Sequence, residues 1–407
     1  MKTLFTWEQE LQKLTPPSSI QLGLDRIKVV FDRLTIIRPE HLFTVAGTNG
    51  KGSTVEMLST LTNGAGYKTC QYTSPHLQKI NERFRINGQL IEDESLAEGF
   101  EVVRRAQGEI FLTYFEFLTL AAFYIFSAEE ADIWVLEIGL GGRLDAVNVI
   151  DPDVSIITSI AMDHVEYLGD TLEAIAIEKA GIMRPSRPVL IGEETVRPTF
   201  LAEADRCNAK IKWLSDFLKK QPPIISGQTL DLSKTRLPRT SVGLAVMAFL
   251  ERGLQLPEQA QDLITSVNIP GRLSGANYQN HRITLDVGHN LKALEYVTDV
   301  MSTRIEQPNR VVIFSVLADK DAENLIRCIN KYSRRVILVG IDGDRGRPVS
   351  DLVKRYKLIT GQTPWATFDT ITIALDNLSG SLESSDHILI CGSFVLVADA
   401  LQHDHVN

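Results

Sequence analysis

At 407 residues the chain exceeds the about 250–300 residues at which a single core stops growing, so two domains are expected. Its 44% hydrophobic and 23% charged residues are ordinary for a globular enzyme. A net charge of −9 argues against general binding to nucleic acid or membrane surfaces, but not against a small anion held by local amides and cations.

The opening MKTLFTWEQELQKL has no long apolar core and carries acidic residues early, unlike a secretory leader. The longest apolar stretch, around Leu118 to Phe126, falls short of the about 20 residues that span a bilayer. Cys70, Cys207, Cys328 and Cys391 are scattered without a CxxC pair. Cys70 and Cys391, in segments expected as strands, are expected to be buried small side chains of a protein in the reducing cytoplasm.

Short apolar runs alternate with helical patterns, which predicts an α/β fold with a largely parallel sheet. Phe43–Ala46 is expected as a buried strand, Gly47–Gly52 as a loop and Ser53–Thr62 as a helix. Strand Thr69–Thr73, the strongly apolar helix Glu116–Ala128 and strands Ile133–Ile138, Val154–Thr158 and Val189–Ile191 follow, with helix Thr171–Met183 between the last two. The stretch 209–236, with Pro222 and Pro223, is expected to hold short strands and loops. After helix Thr240–Arg252, Pro270-Gly271-Arg272 is the expected linker. Alternation then restarts with strands Ile283–Val287, Val311–Leu317, Val336–Ile341 and Ile388–Cys391, and helices Lys292–Ser302, Asp321–Tyr332 and Val395–Leu401. The expected domains are 1–270 and 271–407.

Phe43 to Thr54 reads strand, glycine loop, helix: FTVAGTNGKGST. Glycines let several amides turn toward one anion, the helix start adds its dipole, and Lys51 adds a full charge. Ser53 could hold a phosphate oxygen or a bound Mg²⁺. The strict phosphate-loop pattern is not met, because Val45 and Gly52 stand where it requires glycine and serine or threonine.

Four further features are expected where strands end, the face at which open α/β sheets bind ligands. They are Thr73-Ser74-Pro75-His76; Glu137, leading to Gly141-Gly142-Arg143-Leu144-Asp145; Asp163-His164; and Lys179. Taken singly, each has a bland explanation as a turn, an ion pair, a cap or a solvated helix end. Glu137 is the hardest to dismiss, since a carboxylate in an apolar strand needs a cation, a metal or a raised pKa. The glycines from Gly139 to Gly142 do not have the GxGxxG spacing of a dinucleotide site.

Together these residues resemble the dihydrofolate synthase/folylpolyglutamate synthase branch of the Mur ligase superfamily. The matching segments, in family order along nearly the whole chain, are LGLDRI at 22–27, FTVAGTNGKGST at 43–54, YTSPHL at 72–77, YFEFLTLAAF at 114–123, LEIGLGGRLDAVNV at 136–149, TSIAMDHVEYLG at 158–169, EKAGI at 178–182, LDVGHN at 285–290 and LADKD at 317–321. The resemblance implies a phosphate-loop-type, mostly parallel sheet domain of the Mur ligase central type and a smaller Rossmann-like C-terminal domain. It implies that Gly47, Thr48, Asn49, Gly50, Lys51, Gly52 and Ser53, with Arg272, Asp286 and His289 of the second domain, hold ATP. Ser74, Glu137 and His164 would serve two Mg²⁺ ions, and Lys179 would be carbamylated by CO₂. Gly23, Leu24, Pro75, Thr113, Phe115 and Asp145 would line the dihydropteroate or tetrahydrofolate site, and Ser393 would lie near L-glutamate. Two departures from the family pattern leave Asp286, His289 and Asn290 intact: Gly288 stands for alanine and Leu291 for proline. A third, Arg239 where asparagine is common, falls beside the expected nucleotide.

The implied activity is ligation of L-glutamate through an acyl phosphate by a monomer acting on small molecules. The alternatives are a synthase for polyglutamates alone, a peptidoglycan-precursor ligase and a phosphate-loop ATPase without ligase activity. The stretch before Gly47 is short for the extra N-terminal domain of the peptidoglycan enzymes. A bare ATPase would give the Asp286–Asn290 cluster no role.

Overall fold

The computed structural model describes residues 2–14, 20–219, 224–225, 228–378 and 380–406, so Pro222 and Pro223 lie outside the described residues. It divides into two compact units, Met1–Val267 and Asn268–Asn407.

In the first unit the elements run α1 (Leu4–Leu14), α2 (Asp25–Phe31), β1 (His41–Ala46), α3 (Lys51–Gly64), β2 (Thr69–Tyr72), β3 (Phe84–Ile86), β4 (Gln89–Leu90), α4 (Asp93–Gln107), α5 (Tyr114–Ala128), β5 (Ile133–Glu137) and β6 (Val154–Ile157). Then come α6 (Val165–Leu168), α7 (Leu172–Ala180), β7 (Pro188–Ile191), α8 (Arg197–Cys207), β8 (Lys210–Trp213), α9 (Leu214–Lys219), the two-residue strands β9 (Ile224–Ile225) and β10 (Gln228–Thr229), α10 (Arg239–Glu251) and α11 (Ala260–Ser266). An eight-stranded sheet has the order β4-β3-β2-β5-β1-β6-β7-β8. It is parallel from β2 to β8 and antiparallel at the β2–β3–β4 edge.

Central strands β1 and β5 are buried along their whole length, as continuous apolar runs in a parallel sheet covered on both faces must be. β1 and β5 pair with Val45 opposite Glu137. The phosphate loop and the acidic strand end are thereby brought side by side. α5 is buried nearly all round, and Phe123 and Phe126 pack on Trp134 of β5, with ring centroids 5.9 and 5.8 Å apart.

The second unit contains β11 (Ser274–Tyr278), β12 (His281–Asp286), α12 (Leu291–Ser302), β13 (Arg310–Phe314), α13 (Ala322–Tyr332), β14 (Arg335–Val339), α14 (Val349–Thr360), β15 (Ala366–Phe368), α15 (Ile371–Leu378), β16 (His387–Cys391) and α16 (Phe394–Leu401). Its six strands run β11-β12-β16-β13-β14-β15, with only β11 antiparallel to its neighbour. Gly271, expected as part of a linker, is tied into this unit: its amide donates to Ser274 Oγ and its carbonyl accepts from the Val287 amide.

The two-sheet α/β architecture agrees with the expected fold class. Within 209–236 the difference is α9, a short helix after β8 where strands and loops were expected. Cys70 and Cys391 are buried in strands, and all four cysteines are free thiols. Among the described residues no helix is long and apolar enough to cross a membrane.

Candidate active site

β1 ends at Ala46, and the chain turns through Gly47 (φ 147°) and Gly50 (φ 86°) into α3. A Cβ on Gly47 would lie 1.9 Å from Thr158 Oγ1, and one on Gly50 would lie 2.7 Å from Ser241 Oγ. Glycine is therefore required at both positions for space as well as dihedral. The loop is strapped from the strand beside it. Thr158 Oγ1 and Ser159 Oγ donate to the Asn49 carbonyl at 2.7 and 3.0 Å, and the Thr48 amide donates to the Ser159 carbonyl at 2.8 Å. On the other side Ser241 Oγ of α10 donates to the Gly50 carbonyl, which places exposed Arg239 at the start of a helix that abuts the loop.

The amides of Lys51, Gly52 and Ser53 form the first turn of α3, where no carbonyl four residues earlier can serve them. Such a turn, with a glycine loop before it, is a ready anion site. Lys51 Nζ rests on the Gly47 and Thr48 carbonyls of its own loop at 3.0 and 3.4 Å. Substituting Gly47 with alanine is expected to cost about 1–3 kcal/mol from the forced dihedral and the clash with Thr158. The check is a denaturant melt, with nucleotide affinity falling in the same variant.

Glu137, at the end of β5, is 4% exposed. Its Oε2 accepts the Ser74 amide at 3.1 Å, and a Cβ on Gly52 would stand 3.5 Å from the same atom. The acidic strand end, the Ser74-Pro75 turn and the first turn of α3 therefore meet. His164 follows β6, the strand on the other side of β1, and lies in the left-handed region (φ 51°), with its amide on Asp163 Oδ1. Among the described residues no group of three or more His, Cys, Asp or Glu forms a protein-only metal cage. A carboxylate and a hydroxyl beside an anion loop still fit a hard cation that keeps water and phosphate oxygens as its other ligands.

Lys179, whose bland explanation taken singly is a solvated helix end, is 3% exposed near the end of α7. Burial and then the Lys51 charge lower its pKa to about 7, against the opposite pull of Asp163, Asp145 and Glu178. Gly142 makes this approach possible, because a Cβ there would meet the Glu178 carbonyl at 2.7 Å and the Lys179 carbonyl at 3.0 Å. Asp145 is also buried. Its carboxylate accepts the Leu140 and Val147 amides at 2.8 and 2.9 Å, yet burial raises its pKa to about 7.

The residues expected at the folate site are linked through these same segments. The Gly23 amide donates to the Leu144 carbonyl, next to Asp145. Thr113 caps α5 in a reciprocal box with Glu116, and Glu116 also holds Arg26, two residues beyond Leu24, at 2.9 Å. Phe115 lies on Gly139, where a Cβ would come within 2.6 Å of its ring, and its centroid is 5.9 Å from that of Tyr72. Pro75 is exposed on its turn. Sequence reading missed the strap formed by Thr158 and Ser159, the aromatic partner Tyr72, and Arg26. All three stand inside the quoted motifs, which was the available signal.

In the second unit, Asp286 Oδ2 accepts the Leu273 amide and Oδ1 the Gly288 amide, each at 2.8 Å. Burial raises its pKa against the Arg272 charge. His289 Nδ1 lies 2.9 Å from the Val287 carbonyl, which fixes the ring. Arg272 and His289 both approach the Phe394 ring, at 5.2 and 5.9 Å. Ser393 caps α16 through its hydroxyl, which accepts the Val395 amide. Arg272, Asp286, His289 and the 393–394 turn thus form one cluster.

Two family models match the chain: the Mur ligase middle domain over residues 45–215 and the Mur ligase glutamate ligase domain over residues 271–394. Fold and loop together define a Mur-type ATP-dependent ligase. A dihydrofolate synthase/folylpolyglutamate synthase of Escherichia coli is 34% identical over 408 residues, covering 98% of this chain and 95% of the relative. The chain belongs to the dihydrofolate synthase/folylpolyglutamate synthase family. The structure of E. coli FolC in complex with DHPP and ADP matches with TM-score 0.88 at 31% identity, over 98% of this chain and 97% of that one. A bifunctional folylpolyglutamate synthase/dihydrofolate synthase with Mn, AMPPNP and L-glutamate bound matches with TM-score 0.87 at 29% identity, over 98% of each chain.

Proposed function

We propose that this protein ligates L-glutamate to dihydropteroate, forming dihydrofolate, and to tetrahydrofolate, forming polyglutamates, with hydrolysis of ATP to ADP and phosphate. The observation that carries this is the meeting of three groups in one sheet edge: the first-turn amides of α3, the Glu137 carboxylate over Gly52, and the Ser74 amide on that carboxylate.

A free carboxylate is a poor acyl donor because its leaving group would be oxide. Its oxygen takes the terminal phosphoryl group of ATP, ADP leaves, and an acyl phosphate forms. The amine of L-glutamate then attacks the acyl carbon, loses a proton, and phosphate departs. Two anions must first be held together, and the loop amides with Lys51 provide fixed positive potential for that. Gly47, Thr48, Asn49, Gly50, Gly52 and Ser53 shape the phosphate cradle. Two Mg²⁺ ions, with Ser74, Glu137 and His164 as protein ligands, supply the remaining charge neutralisation when bound. Lys179 carries a carbamate, and its lowered pKa supports this because only a neutral amine takes up CO₂. Gly23, Leu24, Pro75, Thr113, Phe115 and Asp145 hold the pteridine-bearing substrate. From the second domain, taken as residues 271–407 after an ATP-binding domain of residues 1–270, Arg272, Asp286 and His289 serve ATP and Ser393 serves glutamate. The enzyme works as a monomer in the cytoplasm, where four free cysteines are at home.

The test is ADP release, measured with a coupled assay, from ATP and L-glutamate with dihydropteroate, with tetrahydrofolate, or with neither. Release dependent on each acceptor is expected. Release with tetrahydrofolate alone would leave a monofunctional synthase, and acceptor-independent release a simple ATPase.

A further inference from the structure

The turn between β2 and β3 carries Ser74 and Pro75, yet little burial holds it: Pro75, Gln78 and Lys79 are exposed, and Ser74 and His76 are only part-buried. A segment with so few buried apolar contacts opens easily unless polar contacts hold it. Those contacts come from the next two residues along the chain that the site does not otherwise use, Glu82 and Arg83.

The Glu82 carboxylate accepts three consecutive amides of the turn, Leu77 at 2.7 Å and Gln78 and Lys79 at 2.9 Å each. Its backbone carbonyl accepts from Thr73 Oγ1. The Arg83 carbonyl accepts the Thr73 amide at 3.0 Å. The Arg83 side chain returns to the middle of the turn, where Nε donates to His76 Nδ1 at 2.9 Å and the guanidinium lies over the Tyr114 ring at 5.7 Å. Arg83 is buried, as is Asn81 before it, which anchors the segment by donating to the Ile91 carbonyl and Asp93. Both ends and the centre of the turn are therefore gripped by one rigid pair of residues. Charge-assisted bonds of this length are the strong ones.

Resting on the ligase function proposed above, we infer that Glu82, Arg83 and His76 are positioning residues: they hold the turn so that the Ser74 amide meets Glu137 and Pro75 faces the pteridine-bearing substrate. They act through the turn, by the contacts just named. Loss of the clamp loosens one wall of the acceptor site and one contact of Glu137, and leaves the L-glutamate end of the reaction alone.

The experiment combines amide hydrogen exchange over residues 73–79 with full steady-state kinetics for Glu82→Ala, His76→Ala and His76→Asn, the last offering an amide oxygen near the place of Nδ1. In both alanine variants, exchange at Leu77–Lys79 is expected to quicken about tenfold or more, KM for dihydropteroate to rise and kcat to fall by about the same factor, and KM for L-glutamate to stay within about twofold. His76→Asn is expected to recover most of both losses. Unchanged exchange in the alanine variants, a parallel rise in the L-glutamate KM, or an asparagine variant no better than alanine would overturn the inference. If Glu82→Ala does not fold, the His76 pair decides. If the unaltered protein forms no dihydrofolate, the proposed function fails instead, and the exchange measurements still decide whether the clamp holds the turn.

Discussion

Replacing Lys51 with alanine is expected to lower kcat/KM for ATP by about 10³ or more, the upper range for losing one preorganised charge at a developing anion. At about 1.4 kcal/mol per factor of ten, that is about 4 kcal/mol of transition-state stabilisation. The fold should tolerate the change, because Lys51 Nζ rests on neutral carbonyls of Gly47 and Thr48 and its loss strands no buried carboxylate partner. A melting temperature close to that of the unaltered protein, beside collapsed turnover, is the expected pair of results. A second consequence follows from position. Lys51 depresses the pKa of Lys179 and also holds down that of Asp145. Without it both groups should bind protons more tightly, and carbamylation of Lys179 should fall. Near-normal rates in Lys51→Ala would remove the phosphate loop from the chemistry.

Lys179→Ala is expected to cost about 10² or more in kcat, with partial recovery on adding a short carboxylic acid such as acetate or propionate. The reasoning is electrostatic. Burial, and then the charge of Lys51, disfavour an ammonium here and lower the Lys179 pKa to about 7. Conversion to a carbamate turns that cation into an anion beside the Lys51 charge. Because the neutral amine is the form that reacts, the sign is fixed. At constant dissolved CO₂, occupancy rises as pH passes upward through about 7, and activity in CO₂-depleted buffer recovers on adding bicarbonate. Intact mass measured under CO₂ shows the added group directly. A Lys179→Ala variant with full activity, or one deaf to every carboxylic acid, would count against the carbamate.

Much of this site was legible because its chemistry sits at strand ends. Buried strand, glycine loop and helix is a local pattern, and β1, its loop and α3 follow it closely. Glu137 announced itself as a carboxylate in an apolar run, and its pairing opposite Val45 is what a parallel sheet does with two such strands. Lys179 was named among these features, but its burial was not legible. A lysine near a helix end is solvated unless something covers it. Here the cover is the Gly141-Gly142 turn packed on the end of α7, a contact between segments far apart in sequence. The clamp at Glu82 and Arg83 was hidden for the same reason: charged residues before a short strand look like surface until the turn they grip is seen. Helix α9 was missed where Trp213 and Leu214 sit among lysines, with too few turns for a helical period to emerge.

The most direct test is a crystal structure with a non-hydrolysable ATP analogue and Mg²⁺. The terminal phosphates are expected against the amides of Gly50 to Ser53 with Lys51 Nζ turned onto them, and a metal ion between those phosphates and the side chains of Ser74, Glu137 and His164. Phosphates bound elsewhere, or Glu137 and His164 on opposite sides of the molecule from that loop, would contradict the account.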